Sequence, residues 1–200
     1  MTPKDIVKKI SKFKGGIDIY SNFKVWNPDN DYCMALHVKD GATVVINGGN
    51  FLAGYETVYV YKGHAIINDG VFFAQRDASR GNKIFELNCK DNFYKDGTAS
   101  IVVKGGKYID FDPAANGSES SDLSTNFVAV GYKSVKLDET YTYKHKVQRN
   151  GESQPTEEEV EVNIYEVVPS SDPREGTEGT VVILDETNEE NSVSESEISE

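Results

Sequence analysis

Three stretches of the chain carry one pattern of apolar and polar positions. VVINGGNF at residues 44–51, AIINDGVF at 65–72 and IVVKGGKY at 101–108 each show three apolar positions, a polar one, Gly or Asp, Gly, any residue and an aromatic. Measured between Gly49, Gly70 and Gly106, the pattern recurs at steps of 21 and 36 residues. Each apolar run is too short to bury its own face, so strands repeating at about twenty residues predict coils that stack around a shared core. Alternation with period two turns Val44 and Ile46 inward and Val45 outward, and puts Ala65 and Ile67, then Ile101 and Val103, in the same inward columns. The glycines allow a sharp corner between two faces of a coil. Phe51, Phe72 and Tyr108 then lie above one another. The longer step is close to two shorter ones, and Leu87, Cys89, Phe93 and Tyr94 read as a degraded copy between them. In the rival arrangement, an antiparallel sandwich, Gly-Gly merely marks hairpin turns; three copies with an aromatic at fixed offset weigh against it.

The flanks read differently. Thr2 as N-cap, Pro3 at the first helical position and Asp5 three residues after the cap predict a helix over residues 1–15, with Ile6, Val7, Ile10 and Phe13 on one face and lysines on the other. A basic amphipathic helix could lie on a membrane or a partner, but the favoured reading is that its apolar stripe caps the end of the β domain, which spans residues 16–135. Residues 136–168 hold two alternating runs, 141–148 and 160–167, joined by a turn-rich segment. One run is basic and the other acidic, so pairing of Lys144 and Lys146 with glutamates such as Glu159 and Glu161 predicts a hairpin. Residues 169–200 are rich in Ser, Glu, Thr, Gly and Asn and predict a disordered acidic tail. Its one apolar island, residues 180–184, could add to a sheet edge of a partner.

Composition narrows the class of protein. The 200 residues carry a net charge of −12. Ten acids against the single base Arg174 give residues 169–200 a net of −9 and leave −3 for the rest, so the acidity belongs to the tail. A general nucleic-acid binder needs a surplus of Lys and Arg, and this chain has the reverse. Two cysteines, Cys33 and Cys89, are too few for a disulfide scaffold and stand in no zinc spacing. No apolar run approaches the roughly 20 residues of a membrane span, and the N-terminus lacks the apolar stretch of a secretory signal.

Candidate chemistry is sparse. The chain has no phosphate loop, dinucleotide fingerprint, nucleophile elbow or zinc-protease motif. Of the histidines His37, His64 and His145, the two in the repeat region, His37 and His64, have no adjacent Cys or acid at nucleophile or metal spacing and read as edge or turn residues. Asp29-Asn30-Asp31 and Asp110-Phe111-Asp112 gather oxygen ligands, but neither runs on into a calcium loop, and both read as turns. The one charged cluster near the repeats is Asp69, Arg76, Asp77 and Arg80, which is the candidate catalytic set if the chain cleaves a polysaccharide. The expectation is therefore no catalytic, cofactor-binding or metal-binding residues.

The Gly-Gly-x-aromatic strands are followed by Phe111-Asp112-Pro113-Ala114 and then by Asn126-Phe127-Val128-Ala129-Val130-Gly131-Tyr132. Together these resemble the final rungs and exit segment of right-handed β-helices of the pectate-lyase-like class, especially those in structural and fibre proteins of tailed bacteriophages. The resemblance spans residues 41–135. It implies an all-β fold: a short right-handed parallel β-helix with an N-terminal capping helix, a C-terminal hairpin and a disordered acidic tail. It further implies a non-enzymatic virion protein, a capsid decoration, head-fibre or adaptor component, assembled in the host cytoplasm without cofactors. The partners it implies are capsid or fibre subunits and further copies of the chain, trimers being common in such proteins, with no nucleic acid and no membrane. The alternative is a β-helix that cleaves or binds a host glycan, as a depolymerase or an adhesin.

Overall fold

A computed structural model describes residues 16–19, 21–25, 34–75, 86–115, 125–147 and 156–182. The helix expected over residues 1–15 lies outside them. Strands dominate, and the protein is all-β with mixed parallel and antiparallel pairing. The repeated segments stack in parallel. In a first column β1 (Gly16–Ile19), the front of β4 (Ala42–Ala53), the front of β6 (Gly63–Ala74) and β8 (Ala99–Val103) lie side by side. Register aligns Ile19, Ile46, Ile67 and Val103, and a parallel bridge adds Val128. All five are buried, as the inward stripe of an alternating strand should be.

A second column holds β2 (Phe23–Val25), the back halves of β4 and β6, and β9 (Lys107–Ile109). Its inward positions are rings: Phe23 on Phe51 at 5.2 Å, Phe51 on Phe72 at 4.8 Å and Phe72 on Tyr108 at 5.0 Å between centroids. Their planes lie within 19° of one another, pair by pair, so the rings are stacked at nearly the strand spacing. Gly49 and Gly106, with φ of +114° and +98°, turn the chain between the two columns. A Cβ on Gly49 would sit 2.2 Å from the carbonyl oxygen of Ser21, so only glycine fits there.

A separate three-stranded parallel sheet forms a third column from β3 (Met34–Val38), β5 (Glu56–Val60) and β7 (Leu87–Cys89). Leu36, Val58 and Leu87 align, as do Val38, Val60 and Cys89, and all six join the same core as the first two columns.

The structure corrects the reading of the longer repeat step. β6 pairs directly with β8, with Ala65 opposite Ile101, so no layer intervenes. Leu87 and Cys89 belong to the third column, while Phe93 and Tyr94 sit on the short helix α1 (Asp91–Lys95). Part of the added length of the 36-residue step lies between Cys89 and Ala99, the connection that carries α1.

The hairpin is longer than expected. β10 (Tyr132–Val147) and β11 (Thr156–Pro169) pair antiparallel, with an irregularity between Lys136 and Thr140. Lys144 faces Glu159 and Lys146 faces Glu157, but Glu161 faces Thr142 rather than a lysine. The base of β11 also pairs antiparallel with β9, Tyr165 opposite Tyr108, which joins the hairpin to the second column.

The expectation of a disordered tail from residue 169 is corrected for residues 169–182. β12 (Thr177–Glu178) pairs with Lys133 and Ser134 of β10. Val181, from the apolar island, bridges to Ala129 of the same chain instead of a partner's sheet. The amides of Thr180 and Val181 both donate to the carbonyl of Val128, at 3.0 Å. The segment thereby supplies backbone partners to the last layer of the first column.

Candidate functional site

The residues singled out for chemistry fall apart in space or outside the described residues. Asp69 is exposed at a corner, where its carboxylate accepts from the amide of Gly70 at 2.8 Å. Arg76, Asp77 and Arg80 lie outside the described residues, as do Cys33 and Asp29-Asn30-Asp31. Asp112 accepts from the amide of Ala114 at 2.9 Å, and Asp110 takes a left-handed backbone with φ of +62°. That is the turn geometry expected of the pair. His64 Nδ1 lies 2.8 Å from Ser100 Oγ on the neighbouring strand. His37 lies against Tyr59 at 5.2 Å, and burial lowers its pKa. The side chain of His145 is outside the described set. Burial drives the Cys89 thiol far up, which keeps it protonated and unreactive. Among the described residues no three His, Cys, Asp or Glu side chains gather as a metal site.

The structure brings together a different set, where the stack gives way to the hairpin. Glu86, just before β7, is completely buried, with the backbone of Ala74 close to its carboxyl group. Burial pushes its pKa well up, and the nearby Asp110 carboxylate adds to the effect. Tyr108 is buried beside them; its hydroxyl donates to Gly105 O at 3.0 Å, and its pKa rises for the same two reasons, burial first and then the charge of Glu86. Asp110 is raised by partial burial. No sequence signal pointed to Glu86, because its burial depends on a contact between columns that no local pattern encodes.

Outside this set, the hairpin has two unlike faces. One carries Tyr141 and Tyr143, opposite Val162 and Val160; both tyrosines meet Phe73 edge to face, at 5.3 and 4.9 Å. Gln75 Nε2 donates to Lys144 O at 2.8 Å and ties the ribbon to the end of β6. The other face is charged: Lys144 lies 3.8 Å from Glu159, both about two-thirds exposed, so the pair adds little stability and mainly sets register.

At the ribbon's base, Arg174 binds Asp172 at 2.9 Å and Glu166 at 2.8 Å, and the Lys133 ammonium donates to Asp172 O at 2.7 Å. Hydrogen bonds from Arg174 hold the Asp172 carboxyl down to about 2. These charges fasten the turn of residues 170–176 across the start of β10.

The described residues form stacked columns with a two-faced hairpin at their end. Set against protein-family models, curated proteins and solved structures, the chain matches none.

Proposed function

We propose that the protein is a short right-handed parallel β-helix serving as a non-enzymatic structural component of a tailed-phage virion: a capsid decoration, head-fibre or adaptor subunit. The observation that carries this reading is the in-register second column, four stacked rings deep, beside a first column of five aligned apolar residues. Parallel strands bonded along one axis resist bending, and a ring pile at strand spacing opposes slippage of one layer over the next. The segment resembling phage proteins supports the placement. Rigidity is the contribution, with the hairpin and the ends of the stack as the contact surfaces toward capsid or fibre subunits.

Mass spectrometry of purified tailed-phage particles, followed by electron microscopy, tests the reading. The expected result is the chain present in fixed copy number with density matching the stacked columns. Absence from particles, or binding and cleavage of a host polysaccharide by the isolated chain, would overturn it in favour of the glycan-handling class.

A further inference from the structure

The hairpin is interrupted where it leaves the stack. Lys136 pairs with Tyr165 and Thr140 with Asn163, so residues 137–139 of β10 stand against Ile164 alone. A bulge of this kind bends a strand and breaks its ladder. On the near side of it β9 and β12 pair with the base of the ribbon; on the far side residues 140–147 and 156–163 have each other as strand partners. This outer ribbon is held to the stack by Tyr141 and Tyr143 on Phe73, by the bond from Gln75 Nε2 to Lys144 O, and by the amide of Asp110, which donates to Asn163 O at 2.8 Å.

Glu86 lies at that joint. Its carboxyl group meets the backbone of Ala74, the residue between Phe73 and Gln75. Its own carbonyl accepts from the amides of Thr57 and Val58 at 2.9 and 3.1 Å and from Thr57 Oγ1 at 2.7 Å, which fixes its backbone in the stack. The titratable groups around it come from several elements: Tyr108 from β9 and Asp110 from the turn after it. Asp110 acts in turn on Tyr143 of β10 and, with Asp112, on Tyr165 of β11, while Asp69 acts on Tyr108. Glu56 of β5 is turned to Asn88, which donates to it at 2.7 Å. All of these are acids or phenols, so an ionised Glu86 meets repulsion and no solvent.

We propose that the outer ribbon is a pH-operated strap, hinged at residues 137–139, that lies on Phe73 while Glu86 is protonated and lifts when Glu86 ionises. The charge left by the departing proton is stabilised only by admitting water. Of the described elements at the joint, β5, β6 and β9 are bonded within the stack, and the ribbon beyond the bulge is the one that yields. The docked form retains the Glu86 proton above the ordinary 4.5, so docking is complete below that value and declines as pH rises. The device is independent of the structural role proposed above, since it is read on the purified chain.

Hydrogen exchange on the full chain at about pH 5 and about pH 8, each corrected for the intrinsic exchange rate, tests it. The amides of residues 140–143 and 158–162 are expected to lose about tenfold or more of their protection at the higher pH, relative to residues 44–46 and 65–67. Glu86→Gln abolishes this difference, and Asp110→Asn reduces it by removing the like charge. Equal protection of the ribbon at both pH values would overturn the proposal, as would a loss shared equally by the stack. So would a Glu86→Gln protein that is folded by circular dichroism and still loosens. Should that variant not fold, an undiminished difference in Asp110→Asn overturns it instead.

Discussion

Phe72 lies between two rings, Phe51 and Tyr108, and is completely shielded from solvent. Truncating it opens a hole whose walls are stacked rings held by backbone bonds on both sides, so they cannot close in. Phe72→Ala is expected to cost about 3–5 kcal/mol, near the upper range for core truncation, and Phe72→Leu clearly less, as read from urea denaturation. Glu86 acts in the opposite sense. Its folded-state pKa lies well above the ordinary 4.5, so the folded protein holds a proton that the unfolded chain releases. The contribution of this residue to stability is therefore fullest below pH 4.5 and declines as pH rises toward the folded-state value. Glu86→Gln should remove that decline: denaturation midpoints measured from pH 5 to 8 are expected to favour the variant increasingly toward the alkaline end. At this scale the sequence was legible where a residue obeyed a period. Ile46, Ile67 and Val103 fell where alternation placed them, and Phe51, Phe72 and Tyr108 stacked. Phe23 went unread because its strand is three residues long and lacks the Gly-x-aromatic corner that marked the others.

Among the elements, the segment after the hairpin changes most from its sequence reading. Low apolar content pointed to disorder, yet residues 169–182 are fixed by backbone bonds to Val128 and Tyr132 and by the Arg174 cluster. Composition measures whether a segment can build a core alone; it cannot register an edge elsewhere in the chain that needs partners. Truncation after Pro169 is expected to lower Tm by about 5 °C or more, because Val128 and Ala129 lose their cover and several backbone bonds go with them. Ending the chain after Val182 retains those contacts and should leave Tm near the full-length value in the same thermal scan. The third column escaped sequence reading for a related reason. β3, β5 and β7 have no shared motif, and β5 is buried along its whole length, so alternation gave no period to detect. The hairpin was legible because opposite charges and alternating apolar residues both survive in the local sequence.

For the whole molecule, the pairing pattern implies unequal stability. The inner layers of the first two columns, β4 and β6, are bonded on both sides, whereas the far end of the ribbon is bonded on one among the described residues. Native-state hydrogen exchange should therefore show residues 44–46, 65–67 and 101–103 opening together and most slowly, with residues 140–144 and 157–160 opening first. If the protection were uniform from core to ribbon, the columns would not be the stabilising unit.

The unequal repeat steps have a consequence for how such a chain can change. Turns of 21 and 36 residues feed matching neighbours into both columns, so surplus chain is taken up on either side of β7 without disturbing the pitch. The corner between Cys89 and Ala99, which carries α1, is accordingly a place where a foreign peptide could be spliced in as cargo, the axial rise per turn staying the same.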